Sequence, residues 1–242
     1  MVILTGFYNA ENYIERCIAS IMGQDYTDFT CYITHDLSTD NSVKLVKEMI
    51  KDDKRFILID DNEKKLYQVG NFDKVIRNNT NILDDEILIE VDGDDCLPNS
   101  KVFNRINELY SDKNVWIANG SFKYSDGTTG FASKQTNFEN IRNQRFTASH
   151  IRTWRAFLWR KIKEEDLKDE NNNYWQWSGD GSFMYPMLEM STEEHYRFMT
   201  DINYIYNAEN PINEHKVDIN MVHDHANKIR AKKPYKPITR YE

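Results

Sequence analysis

The stretch Ile87-Leu88-Ile89-Glu90-Val91-Asp92-Gly93-Asp94-Asp95 sets three carboxylates directly after a run of apolar residues. A short apolar run closed by Asp-Gly reads as a buried strand, here residues 86–91, with Asp92, Asp94 and Asp95 at its carboxyl end. Like charges packed together raise one another's energy unless a proton or cation relieves them. An all-oxygen set suits a hard divalent ion, Mg2+ or Mn2+, of the kind commonly shared with substrate phosphates. Gly93 reads as room for a ligand to approach the backbone. The competing reading is a solvated acidic turn, since Asp-Gly is ordinary turn chemistry. An EF-hand loop is excluded, because its closing Glu position, counted from Asp92, falls on Phe103.

Upstream, the pattern alternates. Residues 2–5 form an apolar strand, and Asn9 is placed to cap a helix carrying Ile14, Cys17, Ile18, Ile21 and Met22 on one face, stopped by Gly23. Residues 30–34 and 55–59 read as strands. Between and after them come helical stripes at Val43, Val46, Met49 and Ile50, then at Val69, Phe72, Val75 and Ile76. Strands separated by helices of this length predict β-α-β units and a largely parallel sheet. Ligands bind such sheets beyond the carboxyl ends of the strands, so residues 6–9, 35–41 and 92–95 are the turns to watch.

Downstream, Val102, Phe103, Ile106, Leu109 and Tyr110 predict a helix and residues 115–118 a strand. Residues 121–146 are polar and irregular, long enough to read as a functional loop. Residues 149–162 read as a helix with Ile151, Trp154, Phe157, Leu158 and Ile162 inward. No repeat and no Pro/Gly/Ser linker divides the chain. The expectation is one α/β domain with two lobes, residues 1–118 and 119–242.

Composition narrows the function classes. The 242 residues are 40% hydrophobic, enough for a substantial core, and 39 acidic against 31 basic residues give a net charge of −8. That balance argues against bulk binding to nucleic acid, which needs a basic footprint. Three scattered cysteines without a C-x-x-C pair argue against a disulfide framework and a cysteine zinc site, and point to a reducing compartment. No apolar run approaches a membrane span, and no basic leader precedes the first strand. A cytoplasmic enzyme, or a soluble domain of a longer chain, is the expectation. A basic tail (Lys228, Arg230, Lys232, Lys233, Lys236, Arg240) is read as solvated, closing over diphosphate, or touching anionic lipid as a peripheral membrane contact.

Three motifs together resemble the family 2 glycosyltransferases of the GT-A fold over nearly the whole chain. The opening strand and helix resemble Leu4-Thr5-Gly6-Phe7-Tyr8-Asn9-Ala10-Glu11-Asn12-Tyr13-Ile14. The second-strand motif Asp-Asp-Gly-Ser-x-Asp is met by His35-Asp36-Leu37-Ser38-Thr39-Asp40, with His35 for the first Asp and Leu37 for the Gly. The D-x-D motif is met by Asp92-Gly93-Asp94, with Asp95 as the frequent extra acid.

The resemblance implies a GT-A fold and inverting, metal-assisted transfer of a sugar from a nucleoside diphosphate donor, UDP-sugar favoured, to a hydroxyl of a glycan or glycoconjugate. It implies donor binding by Thr5, Tyr8, Asp36, Asn71 and Asp92, a divalent metal (Mn2+ or Mg2+) on Asp92 and Asp94, and polysaccharide biosynthesis as the setting. Trp175-Gln176-Trp177-Ser178-Gly179-Asp180-Gly181 fits the segment carrying the catalytic base, Asp180; a helix N-cap is the plainer role for the same residue. Glu189 is the nearest rival for the base, but its place inside an apolar helical run suggests packing or an internal ion pair. His150 and Arg152 are read as donor-binding, the guanidinium gripping diphosphate, with a structural ion pair as the rival role. His223 or His225 is a candidate third metal ligand against a surface pair. Competing functions are an inactive glycan- or nucleotide-binding module, and a sugar nucleotidyltransferase, which expects a glycine-rich loop where Gly6-Phe7-Tyr8-Asn9 stands.

Overall fold

A computed structural model describes residues 1–239; Arg240 of the basic tail lies outside them. The first half runs β1 (Val2–Phe7), α1 (Ile14–Met22), β2 (Thr30–His35), α2 (Ser42–Ile50), β3 (Phe56–Ile59), α3 (Tyr67–Asn78), β4 (Ile87–Glu90) and α4 (Val102–Leu109). The second half runs β5 (Ile117–Tyr124), β6 (Arg152–Arg155), α5 (Ala156–Lys161), α6 (Gly179–Ser191), β7 (Tyr196–Tyr206), α7 (Glu214–Val217) and α8 (Ile219–Ala231).

All seven strands form one sheet, in the order β3-β2-β1-β4-β6-β5-β7. Alternate residues of β1 feed opposite faces, as a pleated strand requires. Val2 and Leu4 join the apolar layer of α3, α5 and α6, while Ile3 and Phe7 join that of α1, α2 and α4. Both layers draw on residues from either side of residue 118, so one α/β domain results. The strand order reverses between β1 and β4. There the carboxyl ends of β1, β2 and β4 meet, which gathers the three turns singled out in the sequence.

The sheet is largely parallel, as expected, β5 and β7 included, with a single antiparallel strand that makes it mixed. Strands β3, β2, β1 and β4 are parallel, but β6 enters antiparallel to both β4 and β5. Residues 152–155, expected as helix, are that inserted strand, and helix is confined to α5. Trp154 fell at helical spacing from Ile151, Phe157 and Leu158, but it is buried as a strand residue between two neighbours. The strand expected at 115–118 runs on to Tyr124 because β7 pairs along it, shortening the irregular loop. Helix α1 begins at Ile14, not beside Asn9. Asn9 adopts φ 47°, a conformation its side chain tolerates, and its carboxamide accepts the Thr39 N–H at 2.8 Å, tying two loops together.

Glu189 is an internal ion-pair residue. The Arg142 Nε lies 2.5 Å from Glu189 Oε1 and its Nη2 2.9 Å from Oε2, both side chains being buried. Arg142→Met strands this carboxylate and is expected to lower unfolding free energy by about 3–5 kcal/mol in urea titration. Adding Glu189→Leu should recover much of the loss. A full loss in the double variant would show that volume, not charge, dominates there.

Three of the tail's basic residues are fastened down, while Lys233 and Lys236 are exposed. Lys228 pairs with Glu170 and Asp224, Arg230 donates to the Arg142 and Gln144 carbonyls, and Lys232 to that of Lys168 at 2.8 Å. Beyond them the Ile238 N–H bonds the Met190 carbonyl. Among the described residues, no helix is long and apolar enough to cross a membrane.

Candidate active site

A cleft of about 880 Å3 opens at the carboxyl ends of β1, β2 and β4. Tyr8, Asp36, Asn71, Asp92, Asp94, His150, Arg152 and Asp180 all line it. Thr5 does not: it is fully buried, and its hydroxyl sits 3.8 Å from the Cys31 thiol, on the β1 face turned to the core. That keeps the Thr5 side chain out of the cleft lining.

At one end, Asp36 organises the wall. Its Oδ1 accepts the backbone N–H groups of Leu66 (2.7 Å) and Tyr67 (3.0 Å), and Asn71 Nδ2 lies 3.4 Å away. Asn71 is held in turn by Asn62 at 2.7 Å. Tyr8 is 37% exposed, and the Lys65 ammonium sits 3.7 Å above its ring, within cation–π range. His35 turns out of the cleft: its Nδ1 accepts the Ser38 N–H, so Nε2 carries the proton donated to Asp60 at 2.7 Å. Leu37 keeps a left-handed backbone, φ 60°, where the family motif has glycine.

In the centre, the acidic turn is crowded. Asp92 accepts from Gln68, its backbone N–H donates to the Tyr204 hydroxyl at 2.9 Å, and its Oδ2 lies 3.9 Å from His150 Nε2. Burial, then the charges of Glu90, Asp95 and Asp94, push the Asp92 carboxyl well above the usual range. Burial also raises Asp95, with Asp94 adding to it, and raises Asp94. Asp94 Oδ2 is taken by Asn210 Nδ2 at 2.7 Å, and Asp95 Oδ1 by the Asn207 N–H at 2.6 Å. Gly93 answers to its own chain rather than to a ligand: a Cβ there would lie 2.5 Å from that of Phe7.

Across the cleft, Asp180 sits in the first turn of α6. Its Oδ2 accepts from Arg152 Nη2 at 2.6 Å and its Oδ1 from the Gly181 N–H at 2.8 Å. Ser178, just before the helix, has φ 53° and donates its N–H to Glu214 at 2.8 Å. Desolvation by the surrounding cleft wall lifts the carboxyl of Glu214, which keeps an exposed edge, to about 7. Sequence reading missed Lys65, Gln68, Tyr204, Asn210 and Glu214. Of these only Tyr204 carried a local signal, its aromatic alternation with Tyr206 on β7.

The Glycosyl transferase family 2 profile matches residues 2–167. The chain belongs to that family. This family 2 chain is 49% identical over 65 residues, 26% of its length, to the teichoic acid poly(glycerol phosphate) polymerase of Staphylococcus epidermidis. It is 29% identical over 131 residues, 52% of its length, to glycosyltransferase GlyA of Streptococcus pneumoniae. The matches span 9% and 18% of those two proteins. Residues 1–349 of S. aureus TarS in complex with UDP-GlcNAc superpose with a TM-score of 0.65 at 15% identity, over 90% of this chain and 60% of that one. The mannosyltransferase PcManGT from Pyrobaculum calidifontis, in complex with GDP-Man and Mn2+, gives 0.61 at 15% identity, over 97% and 65%. What is shared at such identities is the fold, the GT-A arrangement of a mixed sheet between helices.

The donor set fits a divalent cation. Asp92, Asp95 and His150 each offer a ligand atom, all within 4.8 Å of one another. Asp95 Oδ2 and His150 Nδ1 are buried without hydrogen-bond partners. Burial and the Arg152 charge hold the His150 pKa well below its usual value, so the ring is the neutral form that ligates metals. The expected pair was Asp92 and Asp94; the structure also groups Asp92 with Asp95 and His150, and Asp94 lines the same cleft. His223 and His225 stand apart, His225 packing edge-on against Trp175 at 5.1 Å.

Proposed function

We propose that this chain transfers a sugar, with inversion, from a nucleoside diphosphate donor, UDP-sugar favoured, to a hydroxyl of a glycan or glycoconjugate. The observation that carries this reading is the single cleft in which Asp36 and Asn71, the acidic turn, and Asp180 face one space. Asp36, Asn71 and Tyr8 hold the nucleoside. Asp180 accepts the proton of the acceptor hydroxyl as its oxygen bonds to the anomeric carbon. The bond from that carbon to the diphosphate oxygen breaks on the opposite face, and the electron pair leaves with the diphosphate. Asp92, Asp94, Asp95 and His150 would hold a divalent cation, which would supply Lewis-acid stabilisation of the departing charge. Residues 1–118 would then serve the donor and residues 119–242 the acceptor. The match to a teichoic acid poly(glycerol phosphate) polymerase favours a polyol-phosphate polymer as the acceptor.

A thermal-shift screen of nucleotide-sugars with and without Mn2+ tests the reading, since ligands that bind only the folded state raise apparent stability. Metal-dependent stabilisation by one donor, followed by its turnover with an acceptor panel, is the expected result. Binding without turnover across the panel would favour an inactive binding module, and no binding would remove the donor assignment.

Asp36→Ala is expected to weaken UDP binding by about 1.5–3 kcal/mol in calorimetry, the range for hydrogen bonds to a charged group. The Leu66 and Tyr67 N–H groups lose their acceptor in the same change. Undiminished affinity would move the nucleoside to another wall.

A further inference from the structure

We propose that Arg152 is a positioning residue for the Asp180 carboxylate, with Glu90 as its fixed counter-charge, and does not grip the donor's phosphates. The inference rests on Asp180 being the base. Every nitrogen of the guanidinium is engaged inside the protein: Nε with the Ala148 carbonyl at 3.1 Å, Nη1 with Glu90 Oε1 at 3.0 Å, and Nη2 with Asp180 Oδ2 at 2.6 Å. Arg152 is 5% exposed and Glu90 fully buried. The two side chains start from adjacent positions in the sheet, Glu90 at the end of β4 and Arg152 at the start of the antiparallel β6.

One guanidinium between two carboxylates has no net positive charge left for a diphosphate. Turning toward phosphate would also desert Glu90, whose Oε2 already lacks a partner in the interior. A buried carboxylate stripped of its only cation is strongly disfavoured. The same geometry serves a base well. The planar fork fixes Oδ2 while the Gly181 N–H fixes Oδ1, so the carboxylate plane is set from two sides. Each carboxylate oxygen retains a further lone pair that can take the acceptor's proton. The cleft thus carries a base held by rigid strands rather than by a loop.

The experiment compares Arg152→Met, Arg152→Lys and Asp180→Asn, plus Arg152→Met combined with Glu90→Met, which removes the stranded carboxyl and protects the fold. The readouts are kcat with the donor and acceptor found by the screen, and calorimetric Kd for UDP with Mn2+. Arg152→Met and the Met/Met variant should lose about 10- to 100-fold in kcat, the scale of a misplaced reacting group. Their UDP affinity should stay within about twofold, and Arg152→Lys should recover part of kcat. In the Asp180→Asn background, Arg152→Met should cost nothing more, because the group it orients is already disabled. A loss of UDP affinity above about tenfold with kcat retained, or an additive kcat loss in that background, would overturn the inference while leaving the base assignment standing. Full turnover by Asp180→Asn alone would instead remove the base assignment, and this inference with it.

Discussion

Replacing Asp180 by Asn is expected to lower kcat by roughly 10²- to 10⁴-fold, the usual contribution of a positioned general base. The substitution keeps one of the two bonds that hold the side chain and turns an NH2 group toward the other donor. The amide oxygen of Asn can still accept either from Arg152 Nη2 or from the Gly181 N–H, the two bonds that hold Asp180, and its volume is the same. What disappears is the capacity to take a proton at neutral pH. The Kd for UDP with Mn2+ should barely change, because Asp36, Asn71 and the acidic turn are carried by other elements and make no hydrogen bond to Asp180. A rate loss without an affinity loss marks an interaction made mainly in the transition state.

The wild-type product should carry the anomeric configuration opposite to the donor's, since one in-line displacement inverts the carbon. NMR of the early product reads this directly. A retained configuration would eliminate single displacement. A nearly active Asp180→Asn enzyme would move the base elsewhere, and Glu214, 2.8 Å from the Ser178 N–H with its carboxyl lifted to about 7, is the first acid to examine. Glu189 is not a substitute, because it is buried against Arg142 and does not line the cleft.

How far the sequence could be read follows from the range over which its signals act. Strands β1 to β4 announce themselves as apolar runs with polar ends, because a parallel strand buried on both faces needs only local residues to be recognised. The turns after β1, β2 and β4 were found on that basis, and all three reach the cleft. Strand β6 was not legible. Ile151, Trp154, Phe157 and Leu158 imitate a helical face across a strand-to-helix junction, and only pairing with β4 and β5 decides otherwise. Partners distant in sequence were equally hidden. Glu90 and Arg152 are 62 residues apart, and the Arg152 charge looked available for a ligand until that pairing absorbed it. Gly93 shows the converse case: its need for no side chain was readable, but the crowding neighbour is Phe7, not a substrate.

Asp92→Ala is expected to abolish the Mn2+-dependent part of UDP binding, the second large effect. Asp92 belongs both to the pair read from the D-x-D motif and to the trio with Asp95 and His150, so either grouping loses a ligand. The apo protein should not suffer. Asp92 stands among Glu90, Asp94 and Asp95, whose charges oppose its ionisation, and removing it relieves that repulsion. The melting temperature without metal should therefore stay level or rise. The upward shift that UDP and Mn2+ give the wild type, about 2.7 kcal/mol at a hundredfold excess over Kd, should vanish. Two further variants then separate the groupings by the same calorimetry. Asp95→Asn should weaken Mn2+-dependent binding if the buried trio holds the ion, because Asp95 Oδ2 has no partner it would otherwise serve. Asp94→Asn should do so if the motif pair holds it, the carboxylate exchanging its Asn210 bond for the cation. Undiminished Mn2+-dependent UDP binding in Asp92→Ala would place the metal away from this turn altogether, and the crowding of its carboxylates would then need a purely structural cause.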